Sequence, residues 1–247
     1  MASRYPRASH SGPSMSTIAI LPVKSFGAAK QRLAGGLGAG SRQALAQAMF
    51  SDVLTSLRRV QGVDAVAVVT ADPAAESTAL GGRVQVLRDS EQAGQSEAAL
   101  IGIRHAQDNG FDRVLLVPGD TPLLDPAEVA GLLERAPAVA IVPDRHLTGT
   151  NALLLSPPDA IEPSFGPGSF ARHTSVARAA GVEYSVERVP TLELDVDTPE
   201  DLAVLAAALE GHRGRAPSTR GALRQLDRSR ARPSAAATRG GQVRASA

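Results

Sequence analysis

The 247-residue chain carries 26 Lys and Arg against 25 Asp and Glu, has no cysteine, and is 43% hydrophobic but only 3% aromatic. That length builds one sizeable domain with tails, and the lack of cysteine excludes disulfides, thiolate metal sites and a cysteine nucleophile. No apolar run reaches the roughly 18 residues of a membrane span, and the polar residues 1–14 lack the apolar stretch of a secretory signal, so a cytoplasmic protein is expected.

The net charge of +1 hides a division. Residues 211–247 hold nine Arg and one Asp, giving +8, and Arg4 and Arg7 add +2 before Met15, which leaves −9 on residues 15–210. The expected organisation is therefore a disordered arm over 1–14, a folded domain over 15–210, and a disordered Arg-rich tail over 211–247. The tail has no aromatics between its arginines to stack on bases, so nucleic acid is not an expected partner.

In chain order, Thr17–Val23 reads as an apolar strand and residues 24–40 as a loop. Both lysines of the chain, Lys24 and Lys30, fall in that loop. Ser41 is placed to cap a helix reaching about Val60. A strand over 63–70, a helix over 73–80 and a strand over 84–87 follow. Ser96 opens a helix that Gly110 ends. The run V-L-L-V-P-G-D-T-P-L-L, residues 114–124, is a buried strand ending in a tight turn that presents Asp120. Beyond it come a helix over 126–135 and strands at 139–142 and 150–155. A helix from Ser169 to Gly181 and strands at 183–189 and 192–196 precede a last helix over 199–210. Thr198 and Asp201 form a capping box with Pro199 at the first helical position. Strand–helix alternation argues for a doubly wound α/β fold with a mostly parallel sheet.

In open α/β sheets ligands bind past the carboxyl ends of the strands. Backbone amides after the first strand, with Lys24, Lys30 and Arg32, suit a triphosphate, although no Walker A spacing is present. A lone strand-end acid such as Asp120 suits Mg²⁺ on a phosphorylated substrate, and equally a turn or helix cap. Asp195 and Asp197, two apart and so on one face of a strand, have the same two readings. Gly149-Thr150-Asn151 and Gly166-Pro167-Gly168-Ser169 suit either ordinary turns or a small bound anion. The five histidines (10, 105, 146, 173, 212) show no ligand spacing, and without G-x-S-x-G or H-E-x-x-H neither a serine hydrolase nor a zincin is expected.

Together, A-I-L-P-V-K…A-K-Q-R-L, V-P-G-D-T-P-L-L, T-G-T-N-A-L-L, F-G-P-G-S-F and L-D-V-D-T-P-E-D-L resemble the guanylyltransferases of coenzyme F-420 biosynthesis, which couple GTP to phosphoenolpyruvate or 2-phospho-L-lactate. The resemblance covers about residues 18–209 and implies a Rossmann-like nucleotidyltransferase fold with helices on both faces of the sheet. It implies that Thr150, Gly166 and Ser169 bind phosphoenolpyruvate, and that Asp120 with Asp195 or Asp197 holds Mg²⁺. Lys30 and Arg32 would contact the triphosphate, with Lys30, Arg32 and Asp120 catalytic. Relatives carry G-L-N where this chain has Gly94-Gln95-Ser96-Glu97. Here Gly94 and Glu97 are assigned to the nucleotide with Lys24 and Lys30, Glu97 accepting from the guanine amide and amino edge. The resemblance implies phosphoenolpyruvate as acceptor if the source is a high-GC actinobacterium, with which the Arg-rich, Lys-poor composition is compatible. The sequence itself does not separate phosphoenolpyruvate from 2-phospho-L-lactate, which differ by a double bond and stereochemistry. The rivals are another nucleotidyltransferase, such as a molybdopterin guanylyl- or cytidylyltransferase, and a non-catalytic nucleotide-binding module with an interaction tail. A catalytic domain is expected to keep its rate without the residues after Glu210.

Overall fold

The computed structural model describes residues 15–211 and 214–231. The arm over 1–14 and the tail beyond residue 231, both expected to be disordered, lie outside the described residues.

Thr17–Val23 forms β1 with every residue buried. An apolar run with no polar alternation needs cover on both faces, which places it centrally in a sheet flanked by helices. A 19-residue helix, α1 (Ala39–Leu57), then leads to β2 (Ala65–Thr70), α2 (Pro73–Gly81) and β3 (Gln85–Arg88). Next, α3 (Gln95–Asp108) returns the chain to β4 (Arg113–Leu116), on the other side of β1. The second half adds α4 (Pro126–Arg135), β5 (Val139–Pro143), β6 (Thr150–Leu155), α5 (Ser169–Ala180), β7 (Tyr184–Val186) and α6 (Pro199–Gly211). The seven strands lie in the order β3-β2-β1-β4-β6-β5-β7. Only β6 runs against its neighbours, pairing antiparallel with both β4 and β5. The chain leaves β1 toward β2 and comes back to β4, so the strand order reverses between β1 and β4. The crevice at such a point is where doubly wound sheets bind ligands.

One apolar cluster joins α1, α2 and α4 to one face of the sheet, and a second joins α3 and α5 to the other. Gly102 lets α3 lie close on β1: a Cβ there would stand 2.4 Å from Ile20 Cγ2, closer than real carbon atoms approach. A third cluster lies outside the sheet and matters for the site. It joins Leu33 and Leu37 of the loop after β1 with Leu45 and Met49 of α1, Leu194 and Val196, and Leu205 and Leu209 of α6.

Three expectations need correction. Ser41 does not cap α1; Gly38 in extended conformation is the cap, and Arg42 N–H bonds its carbonyl at 3.0 Å. The small, unbranched run Gly38-Ala39-Gly40 lets the helix begin ahead of the hydroxyl.

Leu192–Val196 does not join the sheet. The Leu192 carbonyl accepts from Asn151 Nδ2 at 2.8 Å and the Glu193 carbonyl from Arg145 N–H at 2.9 Å, so other groups take the bonds a strand partner would make. The expected alternation survives without the strand: Leu194 and Val196 are buried while Asp195 and Asp197 are partly exposed.

The tail is not wholly structureless: Pro217–Ala231 forms a 15-residue helix, α7, that packs on α1. Sequence pattern missed it because its apolar stripe is thin, with Leu226 buried and Ala222 and Leu223 half-buried in the third cluster. Its anchor is remote. Asp52, on α1 and 4% exposed, accepts the backbone N–H of Ser218 at 3.1 Å and of Thr219 at 2.7 Å, so a carboxylate of α1 caps the positive end of α7. Asp52→Ala leaves buried donors unpaired and is expected to cost about 1–3 kcal/mol. For a chain of this size that lowers the melting temperature by roughly 2–4 °C per kcal/mol, which thermal unfolding followed by circular dichroism will read.

Candidate active site

The loop after β1 is held from two sides. Phe26 N–H donates to Asp72 Oδ2 at 2.9 Å, and Asp72 Oδ1 caps α2, so the loop is tied to the end of β2. Further on, the 3₁₀ turn Gln31–Leu33 begins from Lys30, a non-glycine residue in the left-handed region (φ 57°, ψ 39°). Such a conformation costs about 1–3 kcal/mol and persists only where surroundings enforce it. Here they do. The Lys30 side chain is 6% exposed, and its Nζ donates to Asp120 Oδ2 at 2.5 Å and to Asp197 Oδ1 at 3.0 Å. Burial alone would lower the Lys30 pKa, but the charges of Asp120 and then Asp197 outweigh it, so the ammonium stays charged and its pKa rises above the usual lysine value.

Asp120 follows β4 on Pro118-Gly119, where Gly119 sits against Phe50. Its Oδ2 is taken by Lys30, while Oδ1 is buried with no hydrogen-bond partner among the described residues. Asp197 precedes α6 and is free for Lys30 because the capping box does the helix's work. Asp201 Oδ2 accepts from Thr198 N–H at 2.7 Å, and Asp201 N–H donates back to Thr198 Oγ1 at 3.2 Å. Asp195 accepts from Asn151 Nδ2 at 3.2 Å. Burial pushes the Asp195 carboxyl up to about 6, and the nearby Asp120 charge adds to the rise.

Two cavities meet at this cluster, sharing Gln95, Pro118, Asp120 and Asp197. The first, about 320 Å³, has apolar walls from Val23, Phe26, Phe50 and Ala98, with Lys24 and Asp89 among its polar groups. The second, about 480 Å³, is lined by Arg32, Arg145, Thr150, Gly166, Ser169 and Asp195 among others. Thus Lys24, Lys30, Arg32, Asp120, Thr150, Gly166, Ser169, Asp195 and Asp197, chosen from sequence, all border one crevice. Gly94 stands at the N-terminus of α3 with φ 128°.

Gly94 lines neither of the two cavities, and nor does Glu97. Glu97 is exposed and faces a separate surface cavity with Arg88 and Arg104, while its helical neighbours Gln95 and Ala98 line the first cavity. The register of α3 turns Glu97 away. Beside Asp120 and Asp197, the first cavity is lined by a third carboxylate, Asp89, just past β3, 8% exposed, with Oδ1 accepting from Gln92 N–H. Sequence reading named Asn151 only as part of a candidate anion-binding turn, gave His173 no role and left Asp144 unmentioned. Asp144 shapes the approach to Thr150 by accepting from the N–H groups of His146, Thr148 and Gly149. These bonds hold its pKa below the usual range although its partial burial opposes them. One signal was available for His173: it lies four residues after Ser169 on the same helix face.

Among the described residues no three acidic or histidine side chains form a ready metal cage. Mg²⁺ does not require one, since it is bound through one or two carboxylates plus substrate phosphates and keeps several waters. Asp120, with its unpartnered buried Oδ1, and Asp197 fit that donor set.

Residues 17–233 match the model of the family described as Guanylyl transferase CofC like. The chain is 53% identical over 219 residues to a phosphoenolpyruvate guanylyltransferase of Conexibacter woesei, covering 87% of this chain and 98% of that protein. It is 36% identical over 205 residues to a 2-phospho-L-lactate guanylyltransferase of Methanothermobacter thermautotrophicus, covering 81% and 89%. In fold it superposes on a nucleotidyl transferase from Methanothermobacter thermautotrophicus with a TM-score of 0.58 at 19% identity, covering 78% of this chain and 97% of the other. The sequence match runs through every strand, the acidic cluster and α7, and the chain belongs to the CofC-like guanylyl transferase family.

Proposed function

We propose that the protein condenses GTP with phosphoenolpyruvate, giving enolpyruvoyl-2-diphospho-5'-guanosine and diphosphate in coenzyme F-420 biosynthesis, with Mg²⁺ as cofactor. The observation that carries this reading is Lys30 clamped between Asp120 and Asp197 where two cavities meet. One cavity is apolar-walled and fits a base and its sugar; the other is polar and fits a small phosphorylated acid.

The acceptor phosphate is largely dianionic at pH 7, its second pKa being about 6. One of its oxygens forms the new bond to the α-phosphorus of GTP as the bond to the bridging oxygen of the β-phosphate breaks, and diphosphate leaves. No proton has to be removed, so no general base is required. The difficulty is bringing two anions together. Lys24, Lys30 and Arg32 supply fixed positive charge to the triphosphate and to the charge that develops on the transferring group. Thr150, Gly166 and Ser169 hold the acid. Asp120 and Asp197, with Asp195 beside them, would hold Mg²⁺, which neutralises phosphate charge when bound. Cytoplasmic location accords with this chemistry, and no helix among the described residues is long and apolar enough to cross a membrane.

The similarity to a 2-phospho-L-lactate guanylyltransferase keeps that acid as the second candidate acceptor. Diphosphate release from GTP is to be measured with phosphoenolpyruvate, 2-phospho-L-lactate and molybdopterin offered separately. Fastest turnover is expected with phosphoenolpyruvate. Turnover only with molybdopterin, or GTP binding with no turnover on any acceptor, overturns the reading.

A further inference from the structure

His173 belongs to no role assigned so far, yet among the described residues it is the histidine the fold constrains most. It lies on α5 with no exposed surface, its ring edge-on to Phe165 with centroids 5.2 Å apart. Its Nε2 stands 2.8 Å from the Ser164 backbone nitrogen, and its Nδ1 stands 2.9 Å from Thr150 Oγ1. A backbone N–H can only donate, so Nε2 is the unprotonated nitrogen and the neutral ring carries its hydrogen on Nδ1. That hydrogen is donated to Thr150 Oγ1. Burial, together with the neighbouring Arg172 charge, lowers the His173 pKa to about 4, in keeping with a neutral ring.

The consequence falls on the hydroxyl. Thr150 Oγ1 already accepts from His173, and Ser169 Oγ already accepts from Thr150 N–H at 2.9 Å. Each oxygen is fed by an internal donor, and neither hydroxyl hydrogen has an acceptor among the described residues. Both residues line the larger cavity. The pair is therefore preset to donate, which matches an acceptor-only anion and disfavours a ligand that must itself donate.

We propose that His173 is a positioning residue for the acceptor acid: its Nδ1–H fixes the Thr150 hydroxyl as a donor into the larger cavity, beside the Ser169 hydroxyl fixed in the same sense by Thr150 N–H. This rests on that cavity taking the phosphorylated acid.

The test is a double-mutant cycle on the full chain, read as KM for phosphoenolpyruvate at saturating GTP. Thr150→Val removes the donor, and His173→Phe keeps the ring bulk against Phe165 while removing both hydrogen bonds. Each is expected to raise that KM about tenfold, the equivalent of one lost hydrogen bond of ordinary net strength. In each, kcat and the KM for GTP stay within about twofold, and the double variant is expected to be no worse than Thr150→Val alone. His173→Asn places an amide N–H near the position of Nδ1–H and is expected to recover most of the loss; it also serves if the Phe variant does not fold. An unchanged KM in Thr150→Val removes the acid from this cavity and the proposal with it. If Thr150→Val raises KM but both His173 variants leave it unchanged, or if the two effects multiply in the double variant, the cavity reading stands and the role of His173 is overturned.

Discussion

Replacing Asp120 with Asn is expected to lower turnover at least about a hundredfold, by analogy with loss of one strong electrostatic stabiliser, while the protein still folds. Asn keeps the shape of the side chain and an oxygen for the Lys30 ammonium. It loses the charge that, with Asp197, outweighs the burial of that ammonium. It also loses the buried Oδ1 that has no partner among the described residues, the atom best placed to meet a cation. Both losses act where the two cavities meet, so they fall on the transfer step more than on binding in either cavity. Initial rates of diphosphate release, with melting temperature measured alongside, will separate catalytic loss from unfolding. Near-normal release by the Asn variant removes Asp120 from the mechanism.

A chain ended at Glu210 is expected to lose several kcal/mol of stability, a large share of the roughly 5–15 kcal/mol a domain possesses, and to fall below about a tenth of the full rate. This reverses the expectation that the catalytic domain stands without its Arg-rich end. Removing α7 uncovers Leu45, Met49, Leu205 and Leu209, each long side chain contributing about 1.5–3 kcal/mol when fully buried. Asp52 is left buried without the two N–H groups it caps, and Asp125 loses its ion pair with Arg215. The effect reaches the site because the same cluster holds Leu33 and Leu37, which follow Lys30 and Arg32, and Leu194 and Val196, which flank Asp195. The family match, which extends to residue 233, includes α7 within the domain. Thermal unfolding and diphosphate release, compared with a chain ended at residue 231, decide the point. A Glu210-ended chain with full rate and unchanged melting temperature would show that α7 is dispensable.

Much of this architecture is legible in the sequence because its signals are local. Apolar runs such as Thr17–Val23 and Thr150–Leu155 declare buried strands. Asp120 is marked by the tight turn after its strand, and the capping box at Thr198 releases Asp197 for another task. What stays hidden depends on partners far along the chain. Leu192–Val196 reads as a strand, but Asn151 and Arg145 take its carbonyls. The helix α7 reads as a solvated tail because its cap lies 166 residues earlier, on Asp52. Glu97 and Gln95 are two residues apart, and only the rotation of α3 against the sheet decides which of them faces the crevice. His173 carries no motif; its meaning comes from Ser164, which fixes its tautomer, and Thr150, whose hydroxyl oxygen accepts its hydrogen bond.

The central claim is spatial: nucleotide and acid occupy adjoining cavities and meet at Lys30, Asp120 and Asp197. A crystal structure of the complex with Mg²⁺, phosphoenolpyruvate and a GTP analogue whose α,β-bridging oxygen is replaced by a methylene group tests it most directly. The expected density has the base between Phe26 and Asp89, the α-phosphate beside Asp120, and the acid against Thr150 and Ser169. Either ligand bound on another face, or the α-phosphate out of reach of the acid while both cavities are filled, contradicts it.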